Sequence, residues 1–373
     1  MPIREVILRS IGTNMLSGIT LGNWLRMLRE NRFAVDPRFW PRALLISLSS
    51  VPNSLVAFAE QRRYARALES TKIEPPVFIL GTWRSGTTHL HNLLSLDKRF
   101  GFPNVYQVTY PRTFLLTERT SAWFVDACSP KQRPQDAVKI GAYEPQEEDF
   151  AMCSLSGQAN LLGWAFPRNA PFYDRYATME NLSEAEVTRW KAGYELFLKK
   201  LTYKFDLPLV LKSPANTGRV KTLLELFPDA RFVHINRNPY DIFRSTKHTL
   251  RKAGPWWQLQ NRNYHDDDAI DAQVLEMVKT LYDRYFEQRS LVPAGRLHDV
   301  AFTDLERDPV GQIRKTYESL DLPSFSKVEP RLAGYVNSLA DYKKNTFSDL
   351  PDGLRQRVHQ AWCPYFDAWG YAA

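Results

Sequence analysis

The segment VFIL-GTWRSGTT-HLHNLL, residues 77–94, carries the strongest structural signal in this sequence. Its four leading apolar residues are typical of a short strand buried in a parallel sheet. After a loop with two glycines, Leu90, Leu93 and Leu94 recur at helical spacing. Such a strand, loop and helix directs backbone N–H groups and the positive end of the helix dipole at one point. The segment therefore predicts a binding site for phosphate or sulfate.

The loop differs from that of a nucleotide triphosphatase. Gly81 and Gly86 give the backbone freedom that a tight turn needs, at the spacing of a Walker A loop. Two threonines then stand where that loop requires Lys followed by Ser or Thr, and Arg84 places a cation inside the loop instead. Hydroxyl donors come from Ser85, Thr87 and Thr88. We expect an anion site that lacks the lysine by which a Walker A loop binds the γ-phosphate.

Two further runs, the apolar 209–211 and RFVHINR at 231–237, are predicted strands, and each precedes a helical pattern. The alternation predicts an α/β protein with a P-loop-like fold, in which a central, mostly parallel sheet is flanked by helices. Residues 1–72 are rich in Leu, Ile, Trp and Arg at helical spacing, and Pro75 and Pro76 follow them. We predict an N-terminal helical extension over 1–72 and the main domain over 73–373.

Composition indicates a globular protein that binds an anion. The chain has 373 residues, 44% of them hydrophobic, and 49 Lys and Arg against 41 Asp and Glu. A net charge of +8 favours an anionic ligand, an anionic membrane surface or nucleic acid. Cys128, Cys153 and Cys363 are widely spaced and form no metal-binding pattern, so we expect reduced thiols, no metal and a cytoplasmic protein. Polar residues and a glycine at positions 14, 17 and 18 interrupt the N-terminal stretch, so we expect no secretory signal.

Two motifs carry a resemblance to a known family. WRSGTTHL, residues 83–90, resembles the 5′-phosphosulfate loop of sulfotransferases that use PAPS (3′-phosphoadenosine-5′-phosphosulfate), in the form with Arg that is typical of the tyrosylprotein and bacterial branch. RNPYDIFRS, residues 237–245, resembles the family's 3′-phosphate motif. The resemblance implies that Arg237 and Ser245 bind the 3′-phosphate. It implies these ligands of the 5′-phosphosulfate: Arg84, Ser85, Gly86, Thr87 and Thr88.

The resemblance continues from about Pro75 to the end of the chain. VAFTDLERDP, residues 300–309, is similar to a family strand and loop that precede a long helix. Lys343 and Lys344 stand where the family often has a basic loop that touches the 3′-phosphate or the adenine, although a solvated basic loop would have the same sequence. A second phosphate site favours PAPS over ATP as the donor, with PAP as the product.

The catalytic residues follow from the chemistry of the transfer. Sulfuryl transfer resembles phosphoryl transfer, in which positioned cations stabilise the charge that develops in the transition state. Arg84 is the first candidate, and Lys212 in LKSP, similar to the family's catalytic lysine, is the second. The cytosolic branch has a catalytic histidine two residues after that lysine, whereas this chain has Pro214. The carboxylate base of the tyrosylprotein branch has no counterpart in residues 102–107 either.

The segment YEPQEEDF, residues 143–150, offers a replacement base. Carboxylates beside apolar side chains acquire a raised pKa and can accept a hydroxyl proton, so we predict this role for Glu147 or Glu148. An acidic helix N-terminus would explain the same residues. His89 and His91, which follow the loop, are the competing candidates.

The predicted function is transfer of a sulfuryl group from PAPS to a hydroxyl group of a small-molecule or lipid-like acceptor. A P-loop-type kinase and a non-catalytic anion-binding protein are the alternatives. No nucleic-acid partner is expected. Trp, Leu and Phe pair with Arg in residues 23–33 and 38–48, and Trp256 and Trp257 are adjacent. The two N-terminal segments would suit contact with the inner face of the membrane, and the tryptophan pair would suit the wall of an acceptor pocket. Alternatively, both clusters simply cover the core.

Overall fold

A computed structural model describes residues 14–129, 132–133, 135–136, 138–339 and 345–372. Within these residues four parallel strands form one sheet in the order β2-β1-β3-β4. The strands are β1 (Val77–Leu80), β2 (Val210–Lys212), β3 (Arg231–Asn236) and β4 (Leu297–Ala301). The predicted α/β class and parallel sheet are therefore confirmed.

The first strand is central because it has no polar face to expose. All four residues of β1 are buried. Phe78 lies opposite Leu211 of β2 and Phe232 of β3, and its ring packs 5.6 Å from that of Phe232 and 6.1 Å from that of Phe227. A continuous apolar run without alternation suits a strand covered on both faces. The sheet core consequently forms around β1 and holds the loop that follows it.

The described residues pack as two units that interleave along the sequence. The first unit contains the described parts of residues up to 74, of 102–207 and of 252–263, and the second contains those of 75–101, 208–251 and 264–373. The sheet belongs to the second unit. The predicted boundary after residue 72 lies beside the change of unit at residue 74, and its meaning as a domain boundary stays a prediction.

The helices are numbered along the chain. Those of the first unit are α1 (Leu21–Glu30), α2 (Trp40–Ser70), α4 (Val105–Thr109), α5 (Phe114–Cys128), α6 (Asp149–Leu155), α7 (Leu162–Ala165), α8 (Ala170–Asp174) and α9 (Glu184–Phe205). Those of the second unit are α3 (Thr87–Leu94), α10 (Val220–Leu226), α11 (Pro239–Ala253), α12 (Asp267–Gln288), α13 (Phe302–Arg307), α14 (Pro309–Ser319), α15 (Glu329–Ser338) and α16 (Asp352–Trp369). The last two residues of α11, 252 and 253, are counted with the first unit. The helices predicted in the N-terminal segment and after β1, β2 and β3 are all present.

A buried ion pair fixes α2 within the first unit. Glu60 of α2 pairs with Lys200 of α9, and both side chains are only 3% exposed. The Lys200 ammonium also donates to the Pro111 carbonyl, and the Leu116 amide donates to Glu60. Burial lowers the pKa of Lys200 to about 8, and the nearby Glu60 carboxylate opposes that shift. The pair is therefore costly to desolvate and more costly to break.

We expect Lys200→Met to lower the free energy of unfolding by about 3 kcal/mol, because it leaves a buried carboxylate without its cation. Urea unfolding at neutral pH measures the change. Lys199→Met removes a lysine whose ion pair lies at the surface and should change stability by no more than about 0.5 kcal/mol. Equal stabilities for the two variants would contradict the role assigned to the buried pair.

Candidate functional site

The loop from residue 81 to residue 86 lies at the carboxyl end of β1 and is tightly enclosed. Gly81 and Gly86 have φ angles of 143° and 107°, which disfavour any side chain. A Cβ at Gly81 would lie 2.7 Å from the Ile235 carbonyl oxygen, and one at Gly86 would lie 2.4 Å from the Phe302 ring. The end of β3 and the first residue of α13 therefore pack directly against the loop, and only glycine fits at its two ends.

Short hydrogen bonds hold the loop in shape. The Ser85 hydroxyl donates to the Thr82 carbonyl at 2.8 Å, and the Gly81 amide donates to the Thr217 hydroxyl at 2.8 Å. Gly86 is the N-cap of α3, and as a glycine it has no side chain that could accept from the first-turn amides. These amides and the helix dipole give the loop a positive potential. Thr217, which follows β2, was not anticipated from the sequence.

The structure brings the two predicted anion motifs together. The Arg84 Nε donates to the Ser245 hydroxyl at 2.9 Å, and an Arg237 guanidinium N–H donates to the Arg84 carbonyl at 3.2 Å. The Thr246 hydroxyl also approaches the Trp83 carbonyl at 3.4 Å. The residues predicted to hold the 5′ and the 3′ groups of a donor thus form one hydrogen-bonded assembly rather than two separate sites.

Arg237 has a defined place at the end of β3. Its guanidinium lies over the Phe302 ring at 4.5 Å and faces the Asp241 carboxylate at 3.6 Å. Burial lowers the pKa of Arg237, Asp241 opposes the shift and the Arg84 charge adds to it. Beside it, the Tyr371 hydroxyl donates to Asn236 at 2.8 Å. An aromatic ring below and carbonyl and carboxylate groups around it orient the guanidinium for planar recognition of an anion.

Lys212 is the last residue of β2, so it lies at the same carboxyl end of the parallel sheet as the loop after β1, and it is 2% exposed. His91 of α3 is buried nearby: burial lowers the pKa of its imidazole to about 3, with a further contribution from the Lys212 charge, while a hydrogen bond to Val210 opposes the shift. The imidazole is therefore neutral at physiological pH. Burial also lowers the pKa of His89. A neutral His91 ring beside Lys212 adds no further charge to this end of the sheet.

The acidic candidates lie in the first unit. Glu148 is fully buried at the start of α6 and accepts from the Tyr194 hydroxyl at 3.0 Å. Glu147 is half-buried, and its amide donates to Gln146. Arg84 and Lys212 belong to the second unit.

Other predicted residues have mixed outcomes. Trp257 packs against Trp164 at 5.3 Å and Phe150 at 5.8 Å, which forms an aromatic cluster in the first unit. Lys343 and Lys344 lie outside the described residues. Within the described ranges, no three His, Cys, Asp or Glu residues are grouped as metal ligands.

Comparison with known proteins identifies the relatives of this chain. The profile of the sulfotransferase family matches residues 75–327. Omega-hydroxy-beta-dihydromenaquinone-9 sulfotransferases of Mycobacterium bovis and Mycobacterium tuberculosis are 35% identical over 358 residues, which is 95% of this chain and 90% of theirs.

Two solved structures have a similar fold. A sulfotransferase from Mycobacterium tuberculosis superposes with a TM-score of 0.64 at 17% identity, covering 98% of this chain and 99% of that one. A sulfotransferase from Mycobacterium avium gives 0.62 at 19% identity, covering 93% of this chain and 95% of that one. The P-loop-like fold predicted from the loop is thereby confirmed.

The buried imidazole predicts a pH dependence of stability. The pKa of His91 is about 3 in the folded chain against 6.5 as the ordinary value, so between these values the unfolded chain binds a proton that the folded chain does not. The free energy of unfolding should fall as the pH decreases from 6.5, by up to about 1.4 kcal/mol per pH unit from this residue. His91→Gln should flatten the slope.

Urea unfolding at pH 7, 6 and 5 measures this slope, and His265→Gln, at an exposed position, controls for the substitution itself. A slope in His91→Gln as steep as in the unmodified protein would refute the assignment.

Proposed function

The chain belongs to the sulfotransferase family, and we propose that it moves the sulfuryl group of PAPS to a hydroxyl group of an apolar, lipid-like acceptor. The observation that carries the choice of donor is the hydrogen-bonded assembly of Arg84, Ser245 and Arg237. PAPS bears a 5′-phosphosulfate and a 3′-phosphate on one nucleoside, and this assembly offers two cations and a helix N-terminus within one small region.

The position of the assembly in the sheet supports the same donor. The chain leaves β1 toward β2 on one side and places β3 on the other, so the loop after β1 lies at a topological switch point. Ligands of open α/β sheets bind in the crevice beyond the carboxyl ends of the strands at such a point. A donor bound there would contact the loop amides with its 5′ end and Arg237 with its 3′-phosphate.

The residues proposed for catalysis are suited to charge stabilisation. PAPS would supply a sulfuryl group with a phosphate as leaving group; the acceptor oxygen forms the new bond to sulfur as the bond to the leaving oxygen breaks. Arg84 and Lys212 are proposed to stabilise the charge that builds on the sulfuryl and leaving oxygens. The acceptor proton would pass to a carboxylate, for which Glu147 and Glu148 remain the candidates.

The acceptor class rests on the relatives and on the aromatic cluster. The two mycobacterial relatives are named for a hydroxylated menaquinone derivative, which is a lipid, and they match 95% of this chain. The cluster of Trp257, Trp164 and Phe150 would offer an apolar wall to such a molecule. The proposed location is the cytoplasm, with peripheral contact to the inner face of the membrane through the N-terminal helices.

Site variants separate catalysis from donor binding. Arg84→Ala and Lys212→Ala should each lower kcat on the order of a hundredfold, which corresponds to about 3 kcal/mol of lost transition-state stabilisation. Arg237→Ala should raise the Kd for PAP by roughly tenfold or more, because a charge-assisted bond to phosphate is lost. Isothermal titration with PAP and steady-state kinetics measure the two effects. Arg307→Ala, a mostly exposed arginine in the same unit, is the control.

Wild-type affinity for PAP in Arg237→Ala would overturn the 3′-phosphate assignment.

Incubation with sulfur-labelled PAPS and a lipid extract of the source organism tests the function as a whole. We expect label in an organic-soluble product that carries a sulfate ester, and the same yield when a metal chelator is present. ATP-dependent phosphorylation without affinity for PAP would establish the kinase alternative. PAP binding with no labelled product from lipid, phenol or alcohol acceptors would establish the non-catalytic alternative.

A further inference from the structure

One face of α2 exposes a row of large apolar side chains. The row, called here the exposed stripe, consists of Trp40, Leu44, Leu48, Val51, Leu55 and Phe58, each between 48% and 69% exposed. Their separations of four, four, three, four and three residues place them within an arc of about 80° on the helix. The stripe is about 27 Å long. A continuous apolar surface of this length on a helix requires a partner.

The opposite face of α2 is anchored by polar contacts within the first unit. Near the start of the helix, Arg42 donates to the Gln258 carbonyl at 2.7 Å. In the middle, the Asn53 amide donates to the carbonyls of residues 17 and 19 at 2.7 and 3.1 Å. Near the end, Glu60 forms the buried ion pair with Lys200. These three anchors fix the rotation of α2, so the stripe stays directed away from its own unit.

The same anchors bear on whether α2 crosses a membrane. Among the described residues, the helical stretch Pro37–Ser70 is long and apolar enough to do so, and only 17% of its most apolar window is buried. A spanning helix would have to give up the buried contacts of Arg42 and Glu60 and leave their partners in the first unit unsatisfied. The helix is therefore suited to lying along a bilayer with one face in it.

Charge distribution points to an anionic bilayer as the partner. Between Trp40 and Ala59 the one charged residue is Arg42, which is buried. On the arc of the stripe the next positions toward the C-terminus are Arg62 and Arg66, both exposed, and the Arg62 guanidinium lies over the Phe58 ring at 5.7 Å. Apolar side chains followed by arginines on one helix face are typical of interfacial helices, whose cations contact lipid phosphates.

We propose that the exposed stripe docks into the surface of a bilayer that contains anionic phospholipid, and that Arg62 and Arg66 contact its phosphate groups. The proposal deepens the proposed function and rests on it for its purpose, since a lipid acceptor would be taken from that bilayer. The docking itself is a property of the protein that can be measured without any transfer reaction.

Cosedimentation of the full-length protein with vesicles tests the docking. We expect binding to vesicles of equal parts phosphatidylglycerol and phosphatidylcholine, and at least about tenfold weaker binding for the double variant Leu48→Glu, Leu55→Glu. Arg62→Gln with Arg66→Gln should weaken binding to these vesicles several-fold and leave the weaker binding to pure phosphatidylcholine unchanged. Leu291→Glu changes an exposed leucine of the second unit and serves as the matched control.

The outcomes are separable. Circular dichroism and PAP affinity show whether each variant is folded, since none of these residues belongs to the donor site. Absence of vesicle binding, or equal binding by the stripe variant and the control, would overturn the proposal. So would a wild-type dimer in analytical ultracentrifugation that Leu48→Glu, Leu55→Glu converts to a monomer, because the stripe would then join two copies of the chain.

The test also distinguishes this proposal from the proposed function. Vesicle binding without sulfuryl transfer to any lipid would refute the function and support the docking. Transfer to lipid acceptors without vesicle binding would support the function and refute the docking.

Discussion

The hydrogen bond from Arg237 to the Arg84 carbonyl is the contact on which the proposed donor site depends. Arg84 has a φ of 69°, a left-handed conformation that costs a residue with a side chain about 1 kcal/mol or more. In that conformation its carbonyl accepts from Arg237 while its Nε donates to Ser245. One strained residue thus links the loop after β1 to β3 and to α11. Strain of this kind persists where the surrounding contacts enforce it.

The same loop shows which features sequence can predict. The strand, the glycine turn and α3 follow from short-range patterns, because periodicity and glycine positions act over a few residues. The contact between Arg84 and Ser245 spans 161 residues. The sequence indicated that both side chains bind anions, but their mutual hydrogen bond depends on how α11 packs against the sheet. No local pattern encodes that packing.

Two residues near the site that the sequence did not predict, Thr217 and Tyr371, act only through contacts that are distant in sequence. Thr217 lies in a short 3₁₀ helix after β2, and Tyr371 lies close to the last residue of the chain; neither belongs to a recognisable sequence motif. Each contributes through a single hydroxyl whose partner is distant in sequence. The first unit also depends on contacts between residues that are distant in sequence, because it combines the N-terminal helices with residues 102–207 and 252–263. For example, the Asn23 side-chain amide donates to the Ser154 and Leu155 carbonyls.

Helix α2 inverts the usual arrangement of a surface helix. Its inward face carries Arg42 and Glu60, whose burial is favourable only because each has a fixed partner, and its outward face carries the six apolar side chains of the exposed stripe. Each fully buried apolar side chain would contribute about 1.5–3 kcal/mol, which this helix forgoes in water. The polar anchors make rotation of the stripe into the protein unfavourable. The unused apolar surface can therefore be covered only from outside the unit, which is the physical basis of the proposed docking to a lipid surface.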